Sequence, residues 1–184
     1  MSENASLIRV WLFRVLVATA CGLMIWGFTQ PFWAGLVESP GITGSVVIYG
    51  WGIPETAGSI GYQIADDITP LYQIRLAWAF MGIICLLALL STFLKGLKGQ
   101  LLLGAVGIGT LAYALVAIFV VIKERLTEMG IALQGETFLG GGLRLTIQSD
   151  IEQGFYIMVI CASALIILAA LRFLIAGKAL SKGS

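Results

Sequence analysis

Polar residues are sparse along this chain, and their positions divide it. Apolar residues run almost unbroken through residues 15–32, 74–94, 101–122 and 155–171, and no acid interrupts any of these runs. Each is close to the roughly 17 to 25 residues that a helix needs to cross about 30 Å of hydrocarbon. The pattern predicts four membrane spans.

The connections are unequal. "KGLKGQ" is a tight turn that makes spans two and three an antiparallel hairpin. The other two connections, residues 33–73 and 123–153, are long, and long loops without structure of their own are uncommon. Both carry strand signals. "GSVVIYGW" is β-branched and aromatic and bounded by glycine. "LRLTIQ" alternates, with Leu143, Leu145 and Ile147 on one face and Arg144, Thr146 and Gln148 on the other; the "LGGG" before it supplies turn residues. A lone hairpin is marginal, so strands from both loops are expected to share one small sheet. The third span continues into "VIKERLTEM", whose good helix formers predict an outward helical stalk. The expected fold is a single all-α membrane domain over residues 1–184: a four-helix bundle with a small extracellular antiparallel β-sheet formed by the two external loops.

Composition agrees with this class. The chain is 59% hydrophobic and 11% charged, with a mean hydropathy of +0.97, which excludes an ordinary soluble domain. Charge placement sets the orientation. With the N-terminus inside, Arg9, Arg14, Lys95, Lys98, Arg172, Lys178 and Lys182 share that side with one acid, Glu3. Arg75, Lys123, Arg125 and Arg144 lie opposite, with nine acids. This bias predicts a multi-pass protein of the cell membrane with both termini cytoplasmic. "VATAC" before Gly22 faintly resembles a lipoprotein cleavage site. However, the stretch from Val15 to Cys21 is short for a signal core, and the apolar run continues to Phe32, so a span is expected there.

Candidate chemistry is thin. There is no histidine, hence no imidazole ligand or base. Cys21, Cys85 and Cys161 fall singly on separate spans without C-x-x-C spacing, and read as small core residues rather than a metal or redox site. Asp66-Asp67 is the one acidic doublet, in a turn-like setting where acids are usually solvated. No phosphate loop, dinucleotide fingerprint or nucleic-acid patch is present. A non-enzyme without cofactor, metal or nucleic-acid partner is expected.

The marked residues are structural. In "VVIYGWGIPE", Trp51 could plug the sheet, with Gly50 and Gly52 allowing close backbone approach and Pro54 ending the strand on an edge. It could equally sit in the interfacial aromatic belt, which Trp26, Phe32, Trp33, Tyr72 and Trp78 fit by bracketing span ends, as Trp11 does on the other side. Arg75, in the first turn of span two, could snorkel to headgroups, or hydrogen-bond loop carbonyls or Asp66 or Asp67; the second reading is preferred. Gly104, Gly107 and Gly109 in "GAVGIG" bring helices close, against a neighbouring span of the same chain or against a partner subunit.

Several segments resemble the claudin and peripheral-myelin-protein superfamily. "IYGWGI" is similar to its Gly-Leu-Trp unit after an aromatic strand, and Trp33 to its upstream tryptophan. "PLYQIRLAWAFMGI" resembles the Gln-x-x-Arg-Ala-Leu start of span two, with Arg75 at the arginine position, and "IEQGFYIMV" the Gly-aromatic start of span four. The resemblance covers nearly the whole chain through short motifs. It departs at the loop cysteine pair, since Cys21, Cys85 and Cys161 all lie in spans. The stabilisation such a bridge gives, often 2–4 kcal/mol, must come from elsewhere, which points to a distant, prokaryotic relative.

The expected function is that of a non-catalytic structural or interaction protein. It would be an accessory subunit of a larger membrane complex, meeting other integral membrane proteins and lipids through its helices and external sheet. The alternative is a self-associating claudin-like barrier or cation-selective pore, with Glu38, Glu55, Asp66 and Asp67 as the selecting acids.

Overall fold

The structure is a computed structural model that describes residues 3–39, 42–51, 54–58, 71–139 and 145–176. Helix α1 (Glu3–Phe28) leads into strands β1 (Pro31–Ser39), β2 (Ile42–Tyr49) and β3 (Pro54–Ala57). Helix α2 (Leu71–Ser91) and α3 (Gly96–Val116) follow. A π-helical segment, Ala117–Ile122, carries α3 without a break into α4 (Lys123–Glu128). Strands β4 (Gly135–Leu139) and β5 (Leu145–Ile151) and helix α5 (Gln153–Ala176) complete the order.

Three helical stretches are long and apolar enough to cross a membrane: Leu7–Phe28, Gly96–Glu128 and Gln153–Ile175. The apolar stretch of α2, Arg75–Ser91, is shorter. At 1.5 Å per residue its 17 residues reach about 26 Å. Outward-facing positions on these helices are apolar as well, with Trp11, Leu86, Leu101, Ile108 and Leu174 all more than half exposed. Water would not tolerate such surfaces and lipid does. The chain is a helical membrane protein with a small antiparallel sheet.

The chain divides into two compact units. The first comprises the described residues of Met1–Ile25, Ala79–Ala112 and Ile157–Ser184 and is wholly helical. Phe13, Val17, Cys21 and Met24 recur every three or four residues on the buried face of α1. Met81, Ile84, Cys85 and Ala88 do so on α2, as do Met158, Cys161, Ala162 and Leu165 on α5. The buried hydroxyls are satisfied locally, Ser91 donating to the Ala88 carbonyl at 2.6 Å and Thr110 to that of Val106 at 2.9 Å.

The second unit comprises the described residues of Trp26–Trp78 and Tyr113–Tyr156. Its sheet is five-stranded and antiparallel in the order β3-β2-β1-β5-β4, so strands from both long connections share it. Strand β1 is central and pairs with β2 through Leu36↔Ser45 and with β5 through Leu36↔Gln148. Alternation sends Trp33, Val37, Val46, Ile48, Ile147 and Ile151 to the buried face.

The boundaries depart from the sequence pattern at one instructive place. The apolar run to Phe32 reads as one span, yet α1 stops at Phe28 and a strand begins at Pro31. A bulge between Pro31 and Trp33 lets the consecutive Phe32 and Trp33 both bury, at 0% and 1% exposure. Both rings are enclosed by the second unit and neither faces outward. At the other end of the connection, Glu152 N–H donates to the Phe32 carbonyl at 2.9 Å. A side chain at Gly154, in the first turn of α5, would meet the Gln30 and Gly27 carbonyls at 2.6 and 2.8 Å, so only glycine lets α5 start here.

Candidate functional site

No cluster of catalytic groups appears among the described residues; what the fold builds is a braced surface. Its anchor is Trp33. The ring lies in the sheet core, and its indole N–H donates to the Leu133 carbonyl at 2.9 Å, tying β1 to the segment before β4. Nearby, Ser149 Oγ donates to the Ala132 carbonyl at 2.7 Å, and the Ala132 N–H donates to Thr137 Oγ1 at 2.9 Å. The segment between α4 and β4 is thereby held at both edges of its path.

Trp51 follows β2 and is half-buried. Its ring stacks on Trp78 of α2 at 5.2 Å, lies 5.2 Å from Tyr49 and meets Phe28 edge-on at 6.2 Å. Phe28 in turn meets Trp78 edge-on at 5.1 Å, and the Tyr113 hydroxyl donates to the Gly50 carbonyl at 2.7 Å. This aromatic cluster gathers side chains from α1, β2, α2 and α3, and each such ring pair adds about 0.5–1.5 kcal/mol beyond burial. Gly50 is required at its centre, because a Cβ would stand 2.8 Å from both the Phe28 and Phe32 rings. Gly52 lies outside the described residues.

The opposite face of the sheet is exposed. Register lines up Ser45, Leu36, Gln148 and Glu136 in one row, and Thr43, Glu38, Thr146 and Phe138 in the next. Every charged residue on the described strands is an acid. Gln148 Nε2 donates to Glu136 Oε1 at 3.3 Å, and Gln134 Nε2 to Asp150 Oδ1 at 3.0 Å, which fixes two of the carboxylates. A shallow depression of about 490 Å³ runs between Leu36, Glu136, Gln148, Asp150 and Glu152. Phe138 on the edge strand β4 is 72% exposed.

Of the acids singled out in the sequence, Glu38 stands exposed on this face. Glu55 is on β3, with its side chain outside the described residues; Asp66 and Asp67 lie outside them altogether. Arg75 is exposed on α2 and makes no hydrogen bond or ion pair with any described residue. The three glycines separate. A Cβ on Gly104 would touch Ala169 at 3.7 Å, and one on Gly107 would crowd Ile166 at 2.7 Å and the Ala162 carbonyl at 3.0 Å. Both therefore serve the contact of α3 with α5. Gly109 has nothing within 4 Å.

Sequence reasoning missed Arg172. It falls just past the fourth apolar run and counts there as a flanking charge, yet its side chain is 0% exposed. Its guanidinium donates to the Ser91 carbonyl at 2.9 Å and to the Leu94 carbonyl, and lies over the Phe13 ring at 5.5 Å. Ser91 ends α2, where a cation complements the helix dipole, and Leu94 lies in the turn that follows. Gly99 leaves space for the guanidinium, since a Cβ there would collide with it. The available signal was the apolar stretch Phe173–Ala176, which carries the hydrophobic pattern on past the Arg.

Searches against models of known protein families and against curated proteins find no match to this chain.

Proposed function

We propose that the chain crosses the membrane four times with both termini cytoplasmic, and serves as a non-catalytic accessory subunit of a larger membrane complex. The observation that carries this reading is the braced sheet. Two long connections are bound into one five-stranded surface whose exposed face is polar, acidic and edged by Phe138. A prearranged face of this kind loses little entropy on binding. Its partner would present basic and amide groups opposite Glu38, Glu136 and Asp150, with an apolar pocket for Phe138. The positive-inside bias supports the orientation, and the claudin-like motifs support the four-span topology.

The test is purification of the full chain from its native membrane in mild detergent, followed by mass analysis. A stoichiometric second membrane protein, lost on Glu136→Lys or Asp150→Lys, supports the proposal. A clean homo-oligomer overturns it. The acidic bias of the strands also favours a second reading, a cation-selective pore shared between copies. That reading requires a cation current in planar bilayers that disappears on Glu38→Gln.

A further inference from the structure

The described residues of the helical unit carry Arg9, Arg14, Lys95, Lys98 and Arg172 against a single acid, Glu3. Contacts draw these cations to the turn between α2 and α3. The Arg172 guanidinium donates to the Ser91 carbonyl at 2.9 Å and to that of Leu94. The Arg14 guanidinium lies 4.4 Å from the centre of the Phe93 ring and 5.6 Å from that of Trp11. Lys95 belongs to the turn itself, and Lys98 to the first turn of α3; both are exposed.

The two arginines differ in what answers them. Arg172 is fully buried and its outer nitrogens are occupied by carbonyls. Arg14 has rings beside it but no acceptor: its Nε is buried without a hydrogen bond, and no carboxylate meets it among the described residues. The only ion pair among those residues, Arg125 with Glu128, is in the other unit. Helix α3 starts at the same turn, with no acid in its first turn. The first N–H groups of a helix lack intrahelical partners, and its dipole is positive at that end. Cations, dipole and unanswered donors therefore all call for an anion.

The surroundings say what kind of anion. Trp11 and Phe93, the rings on either side of the Arg14 guanidinium, are 61% and 63% exposed. Leu12 on α1 and Leu97 and Leu101 on α3 are also more than half exposed. Exposed tryptophan beside basic residues is the pattern of a helix end at headgroup depth, and exposed leucines need hydrocarbon. A small free anion would answer the charges and leave these apolar surfaces bare. The ligand that fits both carries a phosphate and acyl chains in one molecule.

We propose that Arg14, Lys95 and Lys98, framed by the Trp11 and Phe93 rings, hold the phosphate of one anionic phospholipid whose acyl chains lie along the exposed leucines of α1 and α3. The planar guanidinium of Arg14 donates to two phosphate oxygens at once, and the two ammonium groups add charge. Arg172, beneath the turn, fixes its shape through the Ser91 and Leu94 carbonyls and contributes to the positive field. A net negative lipid is selected over a zwitterionic one, because a choline headgroup brings its own cation into a place that already holds four. This goes beyond the accessory role, and depends neither on it nor on which leaflet the turn faces. The bland reading of the same residues is unspecific snorkelling of span-flanking cations to headgroups.

The full chain in mild detergent is mixed with phosphatidylglycerol and phosphatidylcholine at equal concentration, and the lipids that stay bound are counted by native mass spectrometry. One phosphatidylglycerol per chain is expected, favoured about tenfold or more over phosphatidylcholine. Arg14→Gln should lower its retention by about tenfold. Lys98→Gln, at an exposed position, should lower it by about fivefold. Lys123→Gln, an exposed cation of the other unit, should leave it unchanged. Equal retention of the two lipids overturns the proposal, as does a loss just as large in the Lys123 variant, which is what unspecific snorkelling gives. Excess inorganic phosphate should not displace the lipid; displacement would make this a site for a free anion and overturn the lipid assignment. Should Arg14→Gln not fold, the Lys95→Gln/Lys98→Gln double variant decides, and undiminished retention there sinks the site.

Discussion

Trp33 and Leu133 stand one hundred residues apart in the chain, and the indole N–H of one donates to the carbonyl of the other at 2.9 Å. That bond joins the first long connection to the second at the centre of the sheet. Trp33→Phe keeps a ring in the core but leaves the Leu133 carbonyl unpaired, which costs about 1–3 kcal/mol. The thermal midpoint of the full chain in detergent should fall. Trp33→Ala, which also opens a cavity, should cost about 3–5 kcal/mol. Equal midpoints for the two variants would show that the hydrogen bond and the ring packing are not separable contributions.

Glycine substitutions separate crowded backbone from open backbone. Gly50→Ala would push a methyl against Phe28 and Phe32, and Gly154→Ala would push one against the Gly27 and Gln30 carbonyls. Each should destabilise by about 1–3 kcal/mol. Gly109→Ala meets nothing within 4 Å and sits inside a helix. There the better helix propensity of alanine predicts a gain of up to about 1 kcal/mol. Unfolding midpoints of the three variants, measured side by side, check the ordering.

Arg172 predicts a local effect. Arg172→Met preserves the apolar stem and removes the donors to the Ser91 and Leu94 carbonyls. The end of α2 should then open more readily, read as faster hydrogen exchange at Thr92 to Leu97. Arg172→Lys should restore little, because an ammonium cannot reproduce the planar fork that reaches two carbonyls at once. Full protection in the lysine variant would show that charge alone suffices.

Topology can be read by labelling. In a background with Cys21, Cys85 and Cys161 changed to alanine, a cysteine at exposed Lys98 and one at exposed Glu136 should react with a membrane-impermeant maleimide from opposite sides of sealed vesicles. Labelling of both from one side would remove the four-span arrangement.

Much of the architecture is legible in the sequence because hydropathy and side-chain period are local properties. The apolar runs mark the helices to within a few residues of Gly96–Glu128 and Gln153–Ile175. The alternation of Leu145, Ile147 and Ser149 reflects strand β5. The first run misleads at Phe32 and Trp33 for a physical reason: a residue buried in a sheet core and one facing lipid are equally apolar. Only the bulge after Pro31 separates the two fates. Likewise "GAVGIG" announces close helix approach, but which glycine meets a neighbour depends on how α3 is rotated against α5.

Taken alone, the amino-acid order determined that this is a membrane protein, since long apolar runs cannot be solvated by water. It also determined that the connections carry strands, through β-branched alternation. Tertiary structure decided everything that needs residues far apart in the chain to meet. It placed Trp33 on Leu133, and the Arg172 guanidinium on the Ser91 and Leu94 carbonyls. Such meetings follow from helix rotation and strand register, which are set by the packing of the whole core and are written in no single stretch of sequence.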